Sequence, residues 1–351
     1  MKGSKPHTSI LDVARVAEVS PATASRVLSG SAYPVKASTR ERVLAAALTL
    51  DFRPNLLARA LVTARTSTLG AIVHDIADPY FGEIVRGLED AARLSGYQLF
   101  VCSSDRDADR ELEYVRGLLS RRVDGLIFAG GGIEQRAYLK ELRVMLDRFR
   151  EHGGSVVVLS PHGYKAPTVL PDNRNGAAQM TEYLLSQGHR QIGIITGPSH
   201  LRTSTVRLSA SEEALAAGGV RHDPSLIEPG GFTIEGGAAA AAALLDRSPS
   251  ISAIFALNDM MAIGALAELR RRNLRIPEQI SVAGFDDIEI AKHANPPLTT
   301  VRLPLYDLGM SGAQMSLAIL EGSAVESIVL PADLVIRQST GPPAAARDAG
   351  A

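Results

Sequence analysis

The sequence predicts a helix-turn-helix head joined by a short helix to a larger α/β body, and three observations carry that prediction. Residues 1–54 hold three short segments of helical period, each opened by a capping signal. From Thr68 onward, apolar runs of strand length alternate with longer segments of helical period, the pattern of parallel sheets covered on both faces. Charge divides near the same place. Residues 1–65 carry ten Lys and Arg against four Asp and Glu, and the remainder carries 27 against 34, within a net charge of −1. A basic head on an acidic body implies that only the head meets a polyanion.

In the head, Ser9-Ile10-Leu11-Asp12 reads as a capping box opening a first helix. Its apolar face is Ile10, Val13, Ala14 and Ala17, and it should stop near Glu18-Val19. Ser20 then caps a second helix with Pro21 at its first position, where a missing N–H costs little. Val19, Thr23, Val27 and Leu28 are expected to face inward, and Pro21, Ala22, Ser25 and Arg26 outward. A second capping box, Ser38-Thr39-Arg40-Glu41, is expected to open a third helix running through Val43, Leu44, Ala47 and Leu50. Three short helices with a tight turn between the first two make a helix-turn-helix, whose second helix, Pro21–Leu28, enters the major groove of DNA. There Arg26 can grip guanine bidentately, Thr23 and Ser25 can bond phosphate or base edges, and Pro21 and Ala22 offer apolar contact. Ser9, Ser20 and Thr39 lie at helix starts, where hydroxyls and free N–H groups hold phosphates. Asn55–Leu61 follows Pro54 as a capped segment too short to be a stable helix in isolation.

In the body, strand-length apolar runs fall at Leu69–Val73, Leu99–Cys102, Gly125–Ala129, Val156–Leu159, Ile192–Ile195, Ile251–Leu257 and Ile280–Phe285. Helical segments between them include Phe81–Ser95, Arg110–Arg121 and Met260–Arg272. Ligands of open α/β sheets bind beyond the carboxyl ends of the strands. That rule selects residues 75–81, Ser103-Ser104-Asp105, residues 130–132, Ser160, Asn258-Asp259 and Asp286-Asp287. Carboxylates, amides and an arginine converging on one cleft suit a polyhydroxylated ligand, and Phe81 and Phe232 can stack on a sugar ring.

Two strings in the head, Leu11-Asp12-Val13-Ala14 with Val19-Ser20-Pro21-Ala22-Thr23-Ala24-Ser25-Arg26-Val27-Leu28, and Thr39-Arg40 through Leu50-Asp51-Phe52-Arg53-Pro54-Asn55, Ala58 and Leu61, resemble the LacI/GalR family of bacterial transcription regulators. The likeness continues collinearly to about residue 340. It implies a periplasmic-binding-protein-like body of two lobes, with the chain crossing near Pro171, Arg302 and Pro331. The implied divisions are a DNA-binding head, 1–54; a hinge helix and linker, 55–66; and an effector-binding and dimerisation body, 67–340. Within the body the N-lobe spans about 67–170 and 303–331, and the C-lobe about 171–302 and 332–340, before a short flexible tail, 341–351. The resemblance makes Asn55, Ala58 and Leu61 minor-groove contacts, with Leu61 an apolar wedge that bends the duplex. It assigns effector contacts to Asp78, Phe81, Ser160, Arg207, Phe232, Asn258 and Asp286, to which the strand-end rule adds Asp105.

The chain also departs from the family pattern. Glu18 stands at a turn position where glycine is usual, and Ser29 replaces a common asparagine. Ala210-Ser211 replaces a Gly-aromatic pair, Leu303-Pro304 a polar pair, and Ala129 a frequent polar residue. These changes argue for a small or unusual effector. The implied protein is a homodimer on a palindromic operator, with a sugar or sugar-like metabolite as effector and no cofactor or metal. No leucine heptads of a tetramerising helix occur in the tail.

Composition excludes several other classes. A single cysteine, Cys102, forbids an internal disulfide and fits a reducing compartment. No run approaches the ~20 apolar residues of a membrane span, and the N-terminus lacks the apolar core of a secretory signal. A cytoplasmic protein is therefore expected. Gly130-Gly131-Gly132 lacks the dinucleotide-binding order, no phosphate-binding P-loop occurs, and the eight histidines are scattered, so no catalysis is expected. A sugar-binding protein without a DNA role would share the body but has no use for Arg26 or the hinge.

Overall fold

The computed structural model describes residues 8–28, 33–52, 65–133, 135–221 and 223–344. Its contacts divide the chain into two units, Met1–Thr66 and Ser67–Ala351.

The first unit contains α1 (Ile10–Val16), α2 (Pro21–Leu28) and α3 (Ala37–Thr49). The Ser9–Asp12 capping box forms in full. Ser20 receives the Thr23 backbone N–H at 3.1 Å, as an N-cap should. The core is made of small residues: Val13, Ala14, Ala17, Ala24, Val27, Val43, Ala46 and Ala47. Three expectations need correction here. Ala24, not Thr23, fills the inward position of α2, and the Thr23 hydroxyl instead pairs with that of Ser20 at 2.8 Å. Leu44 is exposed, and Ala46 takes its place in the core. The capping box at 38–41 does not form, because α3 begins two residues earlier, at Ala37, with no side-chain cap. Glu18 sits at φ 52°, the left-handed region that a glycine would occupy without strain.

The second unit holds two parallel sheets. In the first, β1 (Thr68–Val73), β2 (Gln98–Ser103), β3 (Gly125–Phe128) and β4 (Ser155–Val158) are ordered β2-β1-β3-β4. The helices between them are α4 (Pro79–Leu94), α5 (Ala108–Ser120) and α6 (Arg136–Glu151). The chain then passes through β5 (Val169–Pro171) and α7 (Asn173–Ser186) into the second sheet. That sheet contains β6 (Ile192–Thr196), β7 (Ile227–Pro229), β8 (Ala253–Ala256) and β9 (Ser281–Ala283) in the order β7-β6-β8-β9. Its helices are α8 (Arg202–Ala217), α9 (Ile234–Arg247) and α10 (Asp259–Arg271), with a short α11 (Glu289–His293) after β9. The same strand order in both sheets marks each as a lobe with its own switch point between the first and third strands.

Three crossings join the lobes. After β10 (Thr300–Arg302), α12 (Leu305–Leu320) returns to the first lobe, where it packs on α4. Strand β11 (Ile328–Leu330) then pairs in parallel with β5, and β12 (Asp333–Val335) pairs antiparallel with β10. The strands at both sheet centres are fully buried, which is why they read as continuous apolar runs. The edge strands β2 and β7 are less buried, with Phe100 and Val101 of β2 exposed to 42% and 38%. Residue 341 does not begin a free tail. Gly341 exchanges hydrogen bonds with Ser281, 3.0 Å in each direction, and its carbonyl lies 2.9 Å from His189 Nε2.

Candidate functional site

Two regions carry the chemistry. On α2, Pro21, Ala22, Ser25 and Arg26 form the exposed face, while Ala24 and Val27 anchor the helix. The Arg26 guanidinium lies 4.2 Å from the centre of the Tyr33 ring, which holds a long side chain in a defined direction. The Ser9 hydroxyl is committed to Asp12 Oδ2 at 2.7 Å, and these bonds hold the Asp12 carboxyl below its ordinary range. Thr39 is half-buried in the first turn of α3. Asn55, Ala58 and Leu61 lie outside the described residues.

The second region is a cavity at the carboxyl ends of the strands, walled by both lobes. His74, Asp78, Tyr80, Phe81, Arg106, Ala129, Gly131 and Ser160 form one side. Leu201, Thr203, Arg207, Phe232, Asn258 and Asp286 form the other. Seven of the eight residues expected in a cleft meet here. The eighth, Asp105, does not: it is exposed and paired with Arg110. Asp105 and Arg106 both adopt left-handed backbone, φ 51° and 61°, and this turn swings Arg106 into the cavity instead.

Arg207 is the centre of the C-lobe wall. The ends of α8, α7 and β8 converge on it. Its Nε donates to Asn173 Oδ1 at 2.8 Å and its Nη1 to the Leu257 carbonyl at 2.6 Å. The third nitrogen, Nη2, pairs with Asp286 Oδ1 at 2.9 Å, and the plane stacks 3.9 Å from the Phe285 ring centre. A guanidinium can be buried this completely only when such partners repay its desolvation. Asp286 itself stands at φ 115° and Asp287 at 55°, an unusual backbone of the sort that clusters at functional sites. Burial pushes the Asp286 carboxyl up to about 7; Arg207 pulls it down and Asp78 pushes it further up. Asn258 caps α10 by accepting the Met261 N–H at 2.9 Å, which aims its side chain at the cavity rim. Asp78 caps α4 in the same way through Tyr80 N at 3.0 Å, and burial raises its carboxyl despite that bond. The Ser160 hydroxyl donates to the Gly130 carbonyl.

The neighbouring acids Asp259 and Asp287 do not reach the cavity. Asp259 is buried behind it, accepting from Thr300 Oγ1 at 2.6 Å and Ile288 N at 2.9 Å. Asp287 binds Arg302 at 2.8 Å and Arg337 at 2.5 Å, tying the loop after β9 to β10 and to the segment after β12. Sequence reading missed His74, Arg106, Leu201 and Thr203. His74 was legible as the residue ending the first apolar run. Its ring lies on Gly130, where a Cβ would come within 2.3 Å, and burial pushes its pKa down to about 4, so it is neutral. Among the described residues no group of His, Cys, Asp and Glu could hold a metal ion.

Comparison with known proteins agrees with this arrangement. Residues 9–55 match the lacI family of bacterial regulatory proteins, and residues 181–340 a periplasmic binding protein-like domain. The HTH-type transcriptional repressor CytR of Escherichia coli K12 is 34% identical over 349 residues, covering 97% of this chain and 99% of CytR. Catabolite control protein A of Priestia megaterium is 31% identical over 342 residues, covering 95% and 99%. Among solved structures, the lac repressor dimer bound to operator and the anti-inducer ONPF superposes with a TM-score of 0.85 at 27% identity, covering 96% of this chain and all of that one. The transcriptional regulator CelR in complex with cellobiose gives 0.69 at 33% identity over 95% and 99%. With the three-helix head matched by that family's model and relatives covered over nearly their whole length, the chain belongs to the lacI family of bacterial transcription regulators.

Proposed function

We propose that this protein is a homodimeric repressor that binds a palindromic operator through α2 and is controlled by a small sugar-like effector held between its lobes. The observation that carries the reading is the Arg207–Asp286 pair. It is a buried ion pair that forms one wall of the inter-lobe cavity, at the turn whose next residue grips β10 and the segment just after β12. A ligand bonding to that pair acts on the crossings directly, which gives the coupling between two sites that allosteric control requires. In the head, Arg26 supplies polar readout and Pro21 and Ala22 supply apolar contact, while Ser9, Ser20, Thr23, Ser25 and Thr39 serve phosphates and orientation. Residues 55–66 act as the hinge, with Leu61 as its wedge. The cavity measures about 50 Å³, far below the ~300 Å³ at which pockets begin to enclose a small-molecule ligand. An effector filling this cleft would change how far the lobes close on one another, and that change is the signal. The chemistry is binding alone, without catalysis.

The test uses an operator selected from a randomised DNA library. Arg26→Ala should weaken operator binding by about 1–3 kcal/mol and relax sequence preference at one base pair, with ligand binding untouched. Arg207→Ala should leave operator binding intact and remove the effector response. Undiminished operator affinity in the first variant, or an undiminished response in the second, refutes the corresponding assignment. Leu61→Ala should reduce both affinity and DNA bending, measured by gel mobility of circularly permuted fragments.

A further inference from the structure

We infer that Arg106 makes this cleft selective for an effector bearing an anionic group, a carboxylate or a phosphate, on an otherwise hydroxylated frame. The inference rests on the reading of the cleft as an effector site and adds the chemical class of what it takes.

The two cavity arginines differ in their commitments. Arg207 hydrogen-bonds Asn173 and the Leu257 carbonyl, and its third nitrogen makes an ion pair with Asp286, whose Oδ1 accepts no hydrogen bond among the described residues. It is a fixed part of the wall. Arg106 lines the opposite side, and its Nε, shielded from solvent, has no hydrogen-bond partner among the described residues. A shielded donor without a partner is costly, and here it sits on backbone that is also costly. Two successive non-glycine residues, Asp105 and Arg106, hold left-handed φ angles. That conformation directs Asp105 to solvent and Arg106 inward, so the strain has one visible product: a cation presented to the cavity.

The surroundings narrow the ligand further. His74, beside Arg106, is neutral because burial pushes its pKa down to about 4. Asp78 is the cavity carboxylate that feels the Arg106 charge, yet it makes no ion pair with it; its oxygen is taken by Tyr80 N. Among the described residues no protein group fills the fork, and a planar guanidinium is best satisfied by the paired oxygens of a carboxylate or phosphate. The facing wall offers Asn258 and Asp286, which suit hydroxyls. A ligand spanning the cleft would thus place its anion on the N-lobe and its hydroxyls on the C-lobe, drawing the two together.

Calorimetry with matched pairs tests this: ribose against ribose 5-phosphate, and glucose against gluconate and glucose 6-phosphate. In the full-length protein an anionic member should bind at least tenfold tighter than its neutral partner. Arg106→Gln should bring the anionic member's affinity to within a few-fold of its neutral partner's, and Arg106→Lys should retain part of the preference. If the neutral partner binds as tightly, or if Arg106→Gln keeps the preference, the anionic assignment is overturned while the cleft remains an effector site. If no anion of the panel binds the wild-type protein, the assignment is overturned as well; loss of the Arg207→Ala phenotype, not this result, is what would remove the effector site itself.

Discussion

At the scale of single residues, unusual backbone and unusual protonation coincide at the cleft. Asp286 has a folded-state pKa of about 7, above the ~3.9 of an unfolded aspartate. A carboxyl raised in this way favours the fold while it is protonated, and that contribution is lost as pH rises from about 4 through 7. Asp286→Asn should therefore flatten the pH dependence of thermal stability across that window. Effector hydroxyls bond best to the ionised carboxylate, so wild-type affinity should rise from pH 6 to pH 8 and the Asn variant should show no such rise. Arg106 offers a second test at this scale. Glycine relieves the strain of φ 61°, about 1–3 kcal/mol, against about 0.5–1 kcal/mol of added unfolded-state entropy, so Arg106→Gly should leave the protein at least as stable while erasing anion preference. A fall in melting temperature would contradict the strain argument.

At the scale of elements, the lobes depend on helices that approach closely through glycine. Helix α12 comes from late in the chain yet lies on α4, and a Cβ at Gly309 would stand 2.0 Å from the Ile84 carbonyl oxygen. In the other lobe a Cβ at Gly264 would stand 2.0 Å from the Ile234 carbonyl, where α10 meets α9. Backbone cannot yield to a methyl group as a side-chain tip can, so Gly309→Ala should cost about 1–3 kcal/mol or more, read as a lower urea midpoint. The same substitution at Gly82, where nothing lies within 4 Å of the added atom, should stabilise its helix slightly. Equal effects at the two sites would remove the close-packing account of Gly309.

At the scale of the whole body, Asp287 joins ligand chemistry to lobe movement. It follows Asp286 directly, is almost wholly buried, and holds Arg302 and Arg337 on the crossing segments. Asp287→Asn should leave effector affinity within a few-fold of wild type but bring the ratio of operator affinities with and without effector toward one. If that ratio is unchanged, the clamp does not transmit the signal.

Periodicity and caps were enough to read the head helices and the central strands, because buried parallel strands and amphipathic helices write their environment into consecutive residues. They misplaced what depends on a single turn. Ala24 displaced Thr23 from the core because helical phase is fixed by packing of three helices together, and α3 began before its expected cap. The short strands β5, β10, β11 and β12, three residues each, were too brief to show a period; their crossings came from resemblance alone.

The cleft divides in the same way. Arg207, Asn258 and Asp286 were legible as polar residues beyond strand ends or in a recognisable motif. Arg106 was not, since a left-handed turn moves the inward position by one residue and no local pattern announces it. By itself the sequence determined the head helices, the exposed face of α2 and the alternation of strands and helices as local pattern, and the class of protein by resemblance. Only the tertiary structure decided which arginine is already satisfied and which is left open to a ligand, because that depends on hydrogen bonds between residues as far apart in sequence as Asn173, Arg207 and Leu257.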